Sequence, residues 1–277
     1  MSADPTLTAQ RRIVDEHIHC EWVLHDIAAI AATFYPGQDA HFDAVPFGVQ
    51  FSPEVAYTIL LTAVPDLTGT ITASYDLPGV SVRELTLTGT HAGPYLDLGG
   101  TGRTVTFEVA ALFFFDERDG EVVLMSERVY YDNNTILQQI TAENPAAAPS
   151  GVGLVARADG QVAGAAETAD PDAVLAAQRA SVAEHLRLEN DHDWTTLAAT
   201  WPEGDVGYFD AVPLSTHLVG QEGAAGAYAM LSAALPDMAV AVIGSHDVPG
   251  WSVREIIITG THLGEYMGCL LYTSPSP

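Results

Sequence analysis

Along Ser81–Tyr95, SVRELTLTGTHAGPY, apolar and polar residues alternate with the period of two that marks a strand. Arg83, Leu85, Leu87, Gly89 and His91 share one face, and Glu84, Thr86, Thr88 and Thr90 share the other. The pattern recurs at Ser252–Tyr266, SVREIIITGTHLGEY, with Arg254, Ile256, Ile258, Gly260 and His262 on the matching face. In each copy an apolar face ends in a histidine, one step after a glycine that leaves open space. A pocket wall is built this way; a histidine hydrogen-bonded at the end of a core strand fits the same letters.

The flanking pattern predicts helices first and strands after. Asp4-Pro5 is a helix start, and the helix runs to about Leu24 with Val14, His17, Ile18, Glu21 and His25 inward at helical spacing. A short helix begins at Asp26, a strand spans Ala40–Phe47, and a third helix spans Pro53–Ala63. Leu67–Tyr75 and Val80–His91 are strands joined at Asp76-Leu77-Pro78-Gly79. After a glycine-rich corner, Arg103–Phe115 is a long strand with Val105, Phe107, Val109, Ala111, Phe113 and Phe115 on one face. Glu117–Gly120 turns it into a last strand, Glu121–Asp132, and Asn133–Ile140 closes as a helical turn. The expected class is α+β, a curved antiparallel sheet wrapped over helices to form a cone.

From about Asp172 the chain starts again. His185 and Glu189 match His17 and Glu21, and Phe209–Pro213 repeats Phe42–Pro46, FDAVP, letter for letter. The echo stops after Gly268, before any counterpart of the long hairpin. The expected organisation is a complete domain over 1–140, an Ala/Gly/Pro/acidic linker over 141–170, and an incomplete copy over 171–268. The ending CLLYTSPSP, residues 269–277, has no strand pattern and is expected to be non-native.

Charge narrows the partners. The formal net charge is -26, and all ten basic residues are arginine. Such a surface repels nucleic acid and anionic membranes, so neither is an expected partner. No apolar run is long enough to span a bilayer, MSADPTLTAQRR lacks the core of a signal peptide, and two cysteines form no framework. A cytoplasmic location is therefore expected. An acidic, lysine-free composition resembles that of proteins from salt-loving microbes; a high-GC genome is the other source of such a bias.

The stretch GTHAGPYLDLGGTGRTVTFEVAALFFFDERDGEVVLMSERVYYDNNTILQQ closely resembles the SnoaL-like polyketide cyclase family, within the nuclear transport factor 2-like, ketosteroid isomerase-like superfamily. The GTH-x-G-x-Y strand end, the TGR that opens the next strand, and the aspartate of YYDNNTILQQ carry the likeness. In the second copy, VGQEGAAGAYAMLSAALPDM adds a helix ending in Pro-Asp. Leu98-Gly99-Gly100 departs from the Pro-Pro usual before TGR, and a tandem is unusual for a family of single domains.

The resemblance implies that Asp132 is the acid/base of an intramolecular aldol closure, working without metal or cofactor on a small hydrophobic carbonyl-containing molecule. On an ideal strand Arg128, Tyr130 and Asp132 point the same way, so a carboxylate sits beside a cation and a phenol. His91 would donate to the developing enolate or relay its proton. His17, His41, Phe107 and Phe113 complete the expected pocket. Asp132 also suits the N-cap of the helix that follows it. His17 and Glu21 stand four apart, which an i,i+4 hydrogen bond explains without a metal. Gly99–Gly102 is followed by no lysine or helix, so it is not a phosphate loop.

Two other readings keep the fold and change the role. One is a non-catalytic binding or dimerisation module, associating through sheet surfaces. The other is an epoxide hydrolase, for which the strand from Arg103 supplies no Arg-x-Asp. The charge itself gives a test. Screening relieves repulsion among 36 acidic and ten basic residues, so thermal midpoints should climb from low salt to molar KCl. A flat midpoint would assign the composition to genome bias.

Overall fold

A computed structural model describes residues 4–141, 170–204, 207–211 and 216–264. The chain divides into two compact units, Met1–Gly160 and Gln161–Pro277. The interior of the expected linker and the expected tail lie outside the described residues.

In the first unit, Asp4 caps helix α1, Pro5–His19, by accepting from Thr6 N–H at 2.8 Å. The helix then widens into a π turn over Cys20–Leu24 and stops at His25, which takes a left-handed φ of 49°. The His25 ring is tied to Leu67 O at 2.7 Å. Helix α2, Ile27–Ala32, is capped by Asp26, and α3, Pro53–Ala63, by Ser52. Strand β1, His41–Ala44, is shorter than the sequence suggests. A 3₁₀ turn over Val45–Phe47 ends it and feeds β2, Val49–Phe51. Then come β3, Thr68–Leu77; β4, Val80–His91; β5, Arg103–Arg118; β6, Glu121–Tyr131; and helix α4, Asn133–Thr141.

The six strands run in the order β2-β1-β6-β5-β4-β3. The fold is α+β with a curved sheet, but the sheet is mixed rather than antiparallel, because β1 pairs with β6 in parallel, His41 opposite Ser126. A parallel neighbour needs a long crossover, and the whole stretch from α3 to β5 supplies it. Alternation along one hairpin cannot reveal such a pairing. One core, including Val14, Ile30, Leu67, Ala111, Phe113 and Leu124, fills the space between helices and sheet.

The β5–β6 hairpin contains the detail that decides the site. Its register shifts between Phe114, opposite Ser126, and Phe115, opposite Leu124, which leaves Met125 as one extra residue on β6. Beyond that bulge, Phe113 faces Glu127, Ala111 faces Val129 and Val109 faces Tyr131. Without it, the same strand would offer Arg128 and Tyr130 to the inner face.

The second unit contains α5, Pro171–Asn190; α6, Trp194–Ala199; β7, Tyr208–Ala211; β8, Thr216–Val219; α7, Gly220–Ala234; β9, Ala239–Val248; and β10, Trp251–Thr259. Individual contacts of the first unit recur here. Gln10 reaches Leu77 O and Gly79 N–H across the β3–β4 turn, and Gln178 reaches Val248 O and Gly250 N–H across the β9–β10 turn. Asp66 clamps Thr90 by its N–H and hydroxyl, and Asp237 clamps Thr261 the same way. Among the described residues β10 pairs with β9 alone, and Ile256, Ile257 and Ile258 are exposed.

A buried ion cluster fastens the first helix to the sheet. Asp76 accepts from Arg83 at 3.0 Å, Ser81 at 2.7 Å and Arg11 at 2.6 Å, while Arg83 itself is only 3% exposed. Burial pushes the Asp76 carboxyl up, but the Arg83 charge and these hydrogen bonds outweigh it and hold the group below its ordinary range. Its stabilising contribution is therefore present above that range and is lost as pH falls through the lower folded-state value. Asp76→Ala strands a buried guanidinium and should cost about 3–5 kcal/mol in urea unfolding at neutral pH. A cost within about 0.5 kcal/mol, the level of ordinary surface substitutions, would show that Arg83 finds water or another partner.

Candidate active site

The curved sheet and the helices of the first unit enclose a cavity of about 490 Å³. Its wall is mostly apolar: Phe42 and Ala44 from β1, Leu60 and Val64 at the end of α3, Leu85 and Leu87 from β4, and Val105 to Phe113 from β5. Phe47, Val49, Ile59 and Leu96, also on the wall, are exposed and mark its open side. Set into this surface are six polar groups, Glu21, Tyr57, His91, Tyr95, Glu127 and Tyr131.

His91 arrives at the end of β4, where alternation places it in line with Leu85 and Leu87. The adjoining glycine does not leave open space: a Cβ on Gly89 would lie 2.3 Å from Val64 Cγ1, so α3's end packs there. Thr101 shares its backbone N–H between His91 O at 3.0 Å and His91 Nδ1 at 3.3 Å, with its hydroxyl 3.0 Å from Nδ1. In the tautomer whose Nδ1 accepts this N–H, the neutral ring bears its proton on Nε2. That Nε2 is buried without a partner. An unmet buried donor costs about 1–3 kcal/mol and calls for an explanation, which a ligand acceptor supplies. Tyr95 stands edge-on to the ring, 6.4 Å between centroids, and its hydroxyl contacts Asn133 Oδ1 at 2.5 Å. Burial pushes the Tyr95 and Tyr131 phenols up.

Elsewhere on the wall the buried groups form a line. His17 Nδ1 lies 2.8 Å from Thr33 Oγ1 and its Nε2 lies 2.8 Å from the Tyr57 hydroxyl. Tyr57 in turn donates to Glu127 Oε2 at 2.5 Å, and His17 Nε2 is 3.4 Å from the same oxygen. His17 is fully buried, and Phe34 and Phe113 stand edge-on to its ring at 5.4 and 5.5 Å. Glu21, carried by the π turn, is buried nearby. Desolvation first, and then the charge of Glu127, push its carboxyl well above the ordinary range. Desolvation and the same carboxylates push Tyr57 up.

These positions revise the sequence reading. Phe107, Phe113 and His91 lie on the cavity wall. His17 sits behind it and bonds to Thr33 and Tyr57, not to Glu21 as its i,i+4 spacing suggests. Arg128 and Tyr130 fall on the opposite face of β6, because the Met125 bulge inverts the alternation. Arg128 instead forks onto Asp43 at 3.0 Å on the outer surface and covers the Phe114 ring. His41, on the same outer face as Asp43, contacts Asp39 O at 3.1 Å. Asp132 caps α4: Oδ1 accepts from Asn134 N–H and Oδ2 from Thr135 N–H, both at 3.0 Å, and the Thr135 hydroxyl adds 2.6 Å. It is not among the cavity-lining residues, so the capping alternative describes its place.

Alternation pointed past Glu127, and Tyr57 gave no signal beyond an inward position on α3. The recurrence of Glu21 as Glu189, with tyrosines at 57 and 228, was the available hint.

No curated protein matches the chain. Solved structures similar to it include a Jannaschia sp. CCS1 protein that carries the SnoaL-like polyketide cyclase name, 19% identical, covering 52% of this chain and 99% of its own, with a TM-score of 0.44. AclR from Streptomyces galilaeus is 17% identical over 48% of this chain and 80% of its own, TM-score 0.40. IdmH from Streptomyces antibioticus is 17% identical over 47% and 96%, TM-score 0.38. The family model described as SnoaL-like polyketide cyclase matches residues 38–140, a stretch that includes Tyr57, His91, Glu127 and Asp132. Over those residues the chain is similar to the SnoaL-like family, as the GTH-x-G-x-Y, TGR and YYDNNTILQQ motifs suggest.

Proposed function

We propose that the first unit binds a small hydrophobic carbonyl compound and moves a proton next to its carbonyl, as a cyclase or isomerase does, without a cofactor. The observation that carries this reading is the buried His91 Nε2, without a partner, on the wall of an apolar cavity that also holds the Glu127 carboxyl group. Glu127 makes its contacts to Tyr57 and His17 through Oε2, which leaves Oε1 for a ligand. In the reaction, Oε1 takes a proton from carbon; the C–H bond breaks, an O–H bond forms, and the electron pair moves onto the carbonyl oxygen. His91 donates to that enolate oxygen, and ring closure or reprotonation completes the cycle. At Glu21, desolvation first and then the neighbouring Glu127 charge favour the uncharged form.

We infer that the second unit is an incomplete copy, on the strength of the recurring Gln178, Asp237 and Asp247 contacts. Among its described residues Tyr228 meets Trp201 Nε1 at 3.3 Å where Tyr57 meets a glutamate. Among those described residues, no carboxylate takes the place that Glu127 holds beside Tyr57.

Hydrogen–deuterium exchange next to the carbonyl of apolar ketones, followed by NMR in D₂O, tests the chemistry without a known substrate. Glu127→Gln should slow exchange by ~10²–10⁴-fold. Asp132→Ala should leave exchange within about tenfold and cost about 0.5–2 kcal/mol of stability as a lost cap. The reverse pattern would return the chemistry to Asp132, and tight ketone binding without exchange would make the unit a binding module.

Glu21 gives a separate, substrate-free measurement. Its proton is held more tightly in the folded state, so its stabilising contribution is full below the ordinary glutamate range and declines as pH rises above it. Glu21→Gln should therefore gain in melting temperature over the parent protein progressively from about pH 5 to about pH 8. A constant difference across that range would show that Glu21 ionises normally.

A further inference from the structure

Three short contacts run from Thr33 through His17 and Tyr57 to Glu127, and each needs one hydrogen. Thr33 Oγ1 sits 2.7 Å from Ile30 O, a pure acceptor, so the threonine's only proton lies there. His17 Nδ1 must then supply the proton of its own contact with Thr33 Oγ1. A second proton lies between His17 Nε2 and the Tyr57 oxygen, and a third between that oxygen and Glu127 Oε2. A neutral imidazole, a phenol and an ionised carboxylate hold only two protons between them. The line therefore holds one more.

We propose that His17 and Tyr57 are positioning residues that store one extra proton beside Glu127, so that the reactive site is neutral at rest and can balance an enolate. This rests on the reading of Glu127 as the proton-transferring group. The extra proton has two seats: on His17, facing an ionised Glu127, or on Glu127, with Tyr57 turned toward a neutral His17. The seats interconvert when two protons shift through the phenol. Either way the three groups sum to zero charge, which suits a site walled by Phe34, Phe42 and Phe113. Of the ionisable side chains around the line, Glu21 on the π turn faces it as well, and desolvation and the Glu127 charge both favour its uncharged form.

When Glu127 takes a proton from carbon, the substrate becomes an enolate and the line becomes a cation. The positive charge thus appears together with the negative one and within the same cavity. A substrate that is already anionic would remove that balance, so the preferred class is an uncharged ketone or ester rather than a carboxylate.

The proton count can be read in the full chain without substrate. Histidine labelled with ¹⁵N and glutamate labelled with ¹³C at the carboxyl report His17 and Glu127 at about pH 7, with His17→Gln and Glu127→Gln supplying assignments. The expected result is His17 with both nitrogens protonated, or Glu127 carrying its proton, or fast averaging between the two. A singly protonated His17 together with an ionised Glu127 would overturn the proposal. Tyr57→Phe should abolish the extra-proton signature, whereas a purely packing role for the phenol would leave it unchanged and would overturn the assignment of Tyr57. Because no turnover enters the measurement, it fails or holds separately from the ketone-exchange experiment.

Discussion

Met125 has no partner across the β5–β6 hairpin, and the chemistry of the cavity depends on that vacancy. A strand presents alternate residues to alternate faces, so a single unpaired residue exchanges the two faces for the rest of its length. Past Met125, Glu127, Val129 and Tyr131 turn inward and Arg128 turns out toward Asp43. The bulge therefore places a carboxylate, rather than a guanidinium, against the buried tyrosine and histidine. A cation there would have left Glu21 and His17 in a different electrostatic setting and removed the carboxylate that accepts from the Tyr57 hydroxyl.

Much of the fold could be read from the letters because its signals are local. The helix starts at Asp4 and Asp26, the period-two faces of β4 and β5, and the turn at Pro78-Gly79 each follow from a few neighbouring residues. The parallel β1–β6 contact could not, since it joins residues far apart and leaves no periodic trace in either strand. His91, Phe107 and Phe113 were reached because they lie on strands whose alternation is unbroken up to the hairpin. Arg128, Tyr130 and Asp132 were misplaced together, by one step, because the bulge is not written in any residue type. Met125 looks like any other strand residue.

The two poles of the cavity are built differently. His91 is held by a corner of backbone, through Thr101, and keeps one donor free. Glu127 is held by side chains from three separate elements, and each link in the chain is a proton as well as a contact. Packing and electrostatics meet at the second pole: moving α1 or α3 by a fraction of an ångström changes which atom owns a proton, not merely how closely two surfaces touch. The aromatic wall sharpens this dependence by excluding water that would otherwise supply alternative partners.

The π turn between His19 and His25 has its own bearing on how the two units are compared. His17 and Glu21 match His185 and Glu189 at one offset, but His25, which ties the helix end to Leu67 O, matches His192, tied to Met238 O, at an offset one residue smaller. The first unit thus carries an extra residue between two points that both units fix, and the wider turn absorbs it without rotating either point off its face. An ungapped superposition of the two sequences would slip by one residue just after Glu21 and misassign the equivalences from His25 through FDAVP. Deleting one residue from Trp22–Leu24 is the change that would bring the stretch from His25 through the first FDAVP into phase with its counterpart from His192.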